Sequence, residues 1–536
     1  MMLINVFIPN KAMANVNPIM IEKAITVDGV LNEAQWANTP AIEDFKVVTP
    51  DTGAAPTHKT QTKILYSNEG IYFAVSNFQP ADTQVERLTS RDNFVERDNV
   101  RLVLDTSGKG LYGYVFTVGL GGSLIDGTVQ PERQFAYEWN APWQAQTKRY
   151  DDRWDAEMFI PWSALKLPAA TNKRTIGLSI ERHISYLAED WAVPALGSNR
   201  SVFLSALLPV EFNVLETKSE LTFVPYFSSS MDRLNQTNDQ SFGFDVYYQP
   251  TSDSQLSLTV SPDFGQVEND DIVVNFSAFE TYSPEKRAFF LEGQEIFKPK
   301  GAMMVNTRRI GARPDAPVLN DDQSVEESVG FSDVIAAGKY TGQVGDVRFG
   351  VLSAVEDDTN YNLNDGSQTT VDGRKFMALR SVYETITDND DYQAFGYMGT
   401  LVDSQSDNAT THMIDGEFRS ADNTLQIDSQ LYFSDTGETQ GYGQFASVLY
   451  TPEQGYEHGF EFKHIDRNLD LNDMGFLPRN DLNVFHYYHG VPEATESEHY
   501  KSMKIGQWFD YRTNNDGERI NARIGNWLNI QFDDLT

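Results

Sequence analysis

The amino-acid sequence predicts an all-β chain in two unlike parts: an N-terminal β-sandwich of immunoglobulin-like or jelly-roll type, then an antiparallel membrane β-barrel. Three observations carry that expectation. Aromatic and β-branched runs broken by Gly, Asn, Asp and Pro clusters fill nearly the whole chain. Helix-period stretches are scarce, the best being one or two turns in PWSALKLP, Pro161 to Pro168. After Ser219 the strand text lengthens and adopts a strict two-residue repeat.

The bulk properties bound the rest. With 536 residues the chain exceeds one hydrophobic core. A net charge of −35 argues against a nucleic-acid partner, because phosphate binding needs clustered Lys and Arg. There is no cysteine, which removes disulfides, thiol nucleophiles and thiolate metal sites. No run of apolar residues is long enough for a spanning helix, so a span must be a closed barrel.

Residues 1–20 hold a short apolar run and the small-x-small pattern Ala12, Met13, Ala14. We expect the tail of a secretory signal, with a mature N-terminus near Asn15, although no basic n-region precedes it.

Residues 21–216 read as the sandwich. YFAVSNF (Tyr72 to Phe78) and RLVLDT (Arg101 to Thr106) are apolar on both faces, as strands are when two sheets pack together. In ITVDGVLNEAQW (Ile25 to Trp36), Asp28-Gly29 makes a tight turn and Trp36 plugs the core. KILYSNEGIYFAV (Lys63 to Val75), RDNFVERDNVRLVLDT (Arg91 to Thr106), GYVFTVGLGGSLIDG (Gly113 to Gly127) and RWDAEMFIPWSAL (Arg153 to Leu165) follow. Together these five motifs resemble a family 9 carbohydrate-binding module. The resemblance implies a sandwich that binds an oligo- or polysaccharide.

A glycan site needs aromatic plates beside carboxylate, amide or guanidinium groups. QFAYEWNAPWQ offers Tyr137, Trp139 and Trp143 with Glu138 and Asn140, and Trp191 is a further plate. RDNFVERD and the strands after it supply Asp92, Asp98 and Asp126, hard oxygen donors that suit calcium. Related modules contain structural calcium, but EF-hand spacing is absent here, and solvated turn carboxylates are the competing reading.

Residues 217–536 read as the barrel. In TLQIDSQLYF, Leu425, Ile427, Leu431 and Phe433 share one face, and Gln426, Asp428, Gln430 and Tyr432 the other. A soluble sandwich also alternates, but strand length and charged inner faces favour a barrel with a wet lumen. About a dozen such segments are countable and QFDDLT ends without a terminal aromatic, so the barrel is expected to be incomplete.

The block Leu258 to Gly293, with PDFGQVEND and PEKRAFFLEG, and then RRIG at Arg308 to Gly311, resembles an uncharacterised outer-membrane family in which a family 9-like module precedes a barrel. The resemblance implies a location in the Gram-negative outer membrane, with membrane lipid as a partner. Its charges exclude lipid contact throughout, so residues 258–311 are expected to fill the lumen or mouth. There Lys286, Arg287, Arg308 and Arg309 would pair with carboxylates such as Asp263, Glu268 and Glu285. Strand-end anchors at the membrane surface are the alternative.

No GxSxG, HExxH or P-loop motif occurs and the eight histidines are scattered, so catalysis is not the leading expectation. No cofactor is required. Two readings compete with glycan capture: a structural or secretion-associated barrel with a protein-docking sandwich, and a glycoside hydrolase of carbohydrate catabolism.

Overall fold

The computed structural model describes residues 16, 18–130, 133–137, 139–167, 173–197, 202–213, 219–232, 237–251, 253–262, 274–276, 279–326, 329–389, 391–405, 408–452, 456–495, 500 and 502–532. The leader expectation and the candidates Glu138, Asp263 and Glu268 lie outside these residues. The chain is all-β and divides into one unit ending at Glu216, with Asp533–Thr536, and a second spanning Thr217–Phe532.

The first unit contains β1 (Ile19–Met20), β2 (Lys46–Thr49), β3 (Thr60–Tyr66), β4 (Gly70–Phe78), β5 (Asn99–Asp105), β6 (Gly113–Gly119) and β7 (Leu124–Gln130). It continues with β8 (Gln134–Ala136), β9 (Gln144–Arg149), β10 (Arg153–Pro161), β11 (Lys173–Ile184), β12 (Glu189–Val193) and β13 (Leu208–Asn213). One sheet runs β1-β3-β4-β10-β9, and the other runs β2-β12-β11-β5-β6-β7-β8, with β13 also on β11. Their inner faces meet in one core that includes Phe73, Val75, Leu102, Phe116, Trp154, Met158 and Ile180. Each such large side chain contributes about 1.5–3 kcal/mol by leaving water.

The opening motif is tied to the far end of the module. Glu157 on β10 is fully buried. It accepts the backbone N–H of Asp28 at 2.9 Å, that of Gly29 at 3.2 Å, and the indole N–H of Trp36 at 2.9 Å. Gly29 has φ +79°, and a Cβ there would stand 2.9 Å from the Thr147 carbonyl carbon, so the turn requires glycine.

The second unit contains β14 (Glu220–Asp232), β15 (Thr237–Thr251), β16 (Ser254–Val260), β17 (Val334–Val344), β18 (Val347–Glu356), the hairpin β19 (Thr359–Asn362) and β20 (Gln368–Val371), β21 (Lys375–Ile386) and β22 (Tyr392–Asp403). It continues with β23 (Asn408–Arg419), β24 (Leu425–Asp435), β25 (Gln440–Tyr450), β26 (Glu457–Ile465), β27 (Leu482–Thr495), β28 (Ser502–Thr513) and β29 (Arg519–Gln531). Apart from that hairpin these strands form one antiparallel meander of fourteen in chain order, with β14 and β29 at its edges.

Over much of this wall burial is inverted, although Leu352, Phe376, Met398 and Met413 are also buried. On β24, Ile427, Leu431 and Phe433 are exposed while Asp428, Gln430 and Ser434 are buried. Phe395, Leu401, Ile414, Ile524 and Leu528 are likewise exposed, and Arg380, Glu384, Arg419 and Asp510 are buried. Outward aromatics and histidines stack across strands, with His412 between Tyr397 and Phe433, and His458 against His489 at 4.5 Å.

The two rims differ. At one, consecutive strands are joined by two to six residues; at the other lie the long connections 261–333, 357–374 and 466–481. The chain enters the wall at Glu220 on the short-turn rim, because β14 and β15 are joined at the opposite one.

Candidate functional site

Sequence alternation decides which plates reach solvent. Along β12, Glu189, Trp191 and Val193 point one way and Asp190 and Ala192 the other. Trp191 is therefore fully buried, under the Arg182 guanidinium at 5.1 Å. Trp143 enters the core two residues before Ala145 and meets Phe116 at 5.3 Å. Both expectations of stacking on a ligand are corrected: these rings fill the sandwich. Trp139 is partly buried and leans on Tyr114 at 4.8 Å, whereas Asn140 is exposed.

Tyr137 takes a different position, on the outer face of the eight-stranded sheet. It stacks on Phe135 (6.0 Å, 8°) and meets the edge of Phe94 at 4.7 Å. Phe94 is 55% exposed. Beneath them a second apolar cluster of Val103, Val115, Val129, Phe203 and Leu204 supports the platform.

Beside this platform lies a lattice of charges. Arg101 on β5 and Glu181 on β11 are register partners and pair at 2.7 Å. Two residues along β11, His183 gives Nδ1 to Asp190 at 2.7 Å and Nε2 to Glu96 at 2.8 Å. Burial opposes protonation of His183, but Asp190 and Glu96 outweigh it and push the imidazole up to about 9. At neutral pH the ring is a cation donating two hydrogen bonds. The charges of Arg101 and Glu181 also act on the Tyr137 phenol, whose pKa burial raises. These groups are partly exposed, with Arg101 at 29% and Asp190 at 25%. The face thus offers two aromatic edges flanked by a fixed, nearly neutral set of donors and acceptors.

Sequence reasoning found Tyr137 and missed Phe94, Arg101, Glu181 and His183. Their signal was register, since Arg101 meets Glu181, eighty residues away, only when β5 and β11 pair, and His183 meets Asp190 only across the β11–β12 turn.

The carboxylates considered for calcium are engaged by protein donors. Asp98 accepts from Gln79, Val85 and Ser185. Asp126 binds the Arg91 guanidinium and the Ala141 N–H, and Asp92 accepts the Asp126 N–H. Among the described residues no group of three or more such side chains could hold a metal ion.

In the second unit the described part of the long connection after β16, 279–326, folds against the inner wall. Glu285 and Arg287 form a buried pair at 2.7 Å, completed by the Thr307 hydroxyl at 2.6 Å and by Arg287 donating to the Ile310 carbonyl at 2.8 Å. Burial would raise the Glu285 carboxyl, yet Arg287 and Thr307 hold it below its usual value. Arg309 grips Glu280 with both terminal nitrogens, at 2.8 and 2.7 Å, and Arg308 donates to the Pro284 carbonyl at 3.0 Å. Lys286 is half-buried beside them. The segment is stitched to the wall by Lys300 with Asp428, by Lys339 donating to the Phe289 carbonyl, and by Glu356 accepting the Gly311 N–H. None of these residues lies on a wall strand except Lys339, Glu356 and Asp428, so the alternative of strand-end anchors for Lys286, Arg287, Arg308 and Arg309 is set aside.

Residues 217–534 match the family model for a domain of unknown function (DUF5916). No curated protein matches the chain. Among solved structures, a carbohydrate binding module family 9 from Caldicellulosiruptor kristjanssonii in complex with cellotriose is 13% identical, over 33% of this chain and 81% of that one, with a TM-score of 0.24. A putative carbohydrate-binding protein from Bacteroides uniformis is 12% identical over 37% and 98%, with a TM-score of 0.29. OccK7 (OpdD) of Pseudomonas aeruginosa is 7% identical over 81% and 97%, with a TM-score of 0.19.

Proposed function

This chain belongs to the DUF5916 family, and from that premise we propose that it is an outer-membrane-anchored glycan-binding protein that captures neutral oligosaccharides and assists their uptake. The observation that carries the reading is the outer face of the eight-stranded sheet, where Tyr137 and Phe94 stand beside Arg101–Glu181 and His183–Asp190. Sugar rings present apolar C–H faces edged by hydroxyls, and such a face needs aromatic contact together with donors and acceptors already held in place.

Membrane anchoring is supported by the inverted wall. Fourteen strands with exposed Phe, Leu, Ile and Tyr and a charged inner face have the burial pattern that hydrocarbon outside and water inside demand. The outward Tyr–His–Phe stacks suit the interfacial belts of such a wall.

The test is calorimetric titration of the whole chain, refolded in detergent, with a panel of soluble oligosaccharides. Saturable binding that falls at least about tenfold in Phe94→Ala/Tyr137→Ala is expected, since truncating central aromatics removes most of a small site's affinity. If the folded protein binds no sugar, the exposed Leu88 (78%) and Phe94 make protein docking the reading to pursue.

A further inference from the structure

We propose a second glycan site, inside the barrel unit, in the cleft that the long connection between β16 and β17 leaves at the long-loop rim. The inference extends the capture reading above and depends on it for the class of ligand. The cleft has a volume of about 570 Å³, in the range of small-molecule sites, and its lining includes Ser283, Asn306, Arg308, Arg309, Phe331 and Asp333. Its wall residues Ser241 and Val334 lie near the starts of β15 and β17, which places its mouth at the rim carrying the long connections.

Three features select a neutral, hydroxyl-rich ligand. Between the charges stand the hydroxyls of Ser241, Thr281, Ser283 and Ser332 and the amide of Asn306, beside a similar number of apolar residues. The charges balance: Arg287 pairs with Glu285 and Arg309 with Glu280, and the lining adds Arg308 and Asp333, one of each sign. A phosphate or acidic sugar would find no net positive field here. Finally, Phe331 borders the cleft with 77% of its surface exposed, an aromatic plate beside polar groups.

The floor is rigid. Arg287 and Thr307 lock the segment beneath the cleft, and Arg309 also donates to the Gly475 carbonyl at 3.1 Å. Donors and acceptors held in this way lose little freedom on binding.

The experiment is calorimetric titration of the full chain in detergent with cellotriose, maltotriose and xylotriose, with trigalacturonate as the acidic control. We expect two sites per chain. Phe94→Ala/Tyr137→Ala removes one, Phe331→Ala weakens the other at least about tenfold, and Phe331→Trp keeps it and reports it by fluorescence. A single site abolished by Phe94→Ala/Tyr137→Ala overturns this proposal and leaves the capture reading standing. A single site that survives that pair and is lost in Phe331→Ala supports the cleft and removes the sandwich face. A second site indifferent to Phe331→Ala, or one that prefers trigalacturonate, overturns the proposal, and a folded wild type that binds no sugar overturns both.

Discussion

Glu157 shows what one residue settles in the sandwich. A fully buried carboxylate is costly unless its oxygens are met, and here two backbone N–H groups and an indole meet them. Trp36→Phe removes the indole N–H and part of the ring, which strands one oxygen beside a small void, so we expect a loss of at least about 1–3 kcal/mol by chemical denaturation. His183 predicts a pH dependence. Its folded pKa of about 9 lies above its ordinary 6.5, so its contribution is complete below about 6.5 and is lost as pH rises through about 9. Thermal unfolding across that window should show the decline, and His183→Gln should flatten it. At this scale the sequence was partly legible. The Asp28-Gly29 turn and the Trp36 plug could be read from local chemistry, but their partner lies in a motif more than a hundred residues away. Composition does not reveal whether a ring points into the core or to solvent, so Trp143 and Trp191 read as plates, and Phe94 carries no such signal in a stretch crowded with charge.

At the scale of elements, the two-residue repeat is the most legible signal, because in this wall it separates apolar from polar chemistry on most strands. Ile414→Arg, on the outward face of β23, should destabilise the folded wall by about 2–4 kcal/mol if that position lies near the bilayer midplane, read from urea titration in lipid vesicles. The same change at exposed Asp388, in the turn before β22, should cost almost nothing. The inserted segment obeys another rule. Arg287→Met leaves the buried Glu285 charge without its cation, a loss of about 3–5 kcal/mol, whereas Glu285→Leu/Arg287→Met removes both charges and should recover most of it. Limited proteolysis between Pro284 and Gly311 reads the difference. That the segment carries pairs of opposite charge was visible in PEKR and RRIG; which charges meet was not, since Arg308 spends its Nε on a backbone carbonyl and Arg309 reaches back to Glu280.

For the whole molecule, division of labour follows from two opposite ways of burying surface. The sandwich packs its apolar residues between sheets and admits charge only where donors or acceptors meet it, as at Glu157, while much of the wall turns apolar residues outward and charge inward. On the proposed outer-membrane reading, the wall's alternation also governs how the chain travels. Because every apolar residue on β24 is followed by a polar or small one until Leu431, no segment resembles a stop-transfer sequence, and the extended chain can pass through an export channel before meeting the bilayer that will hold it. Replacing Leu425 to Gln444 by twenty leucines would create an apolar run long enough to span a bilayer as a helix. Cell fractionation should then find that variant arrested in the inner membrane, while wild type reaches the outer one; equal export of both would mean that the alternation serves the folded wall alone.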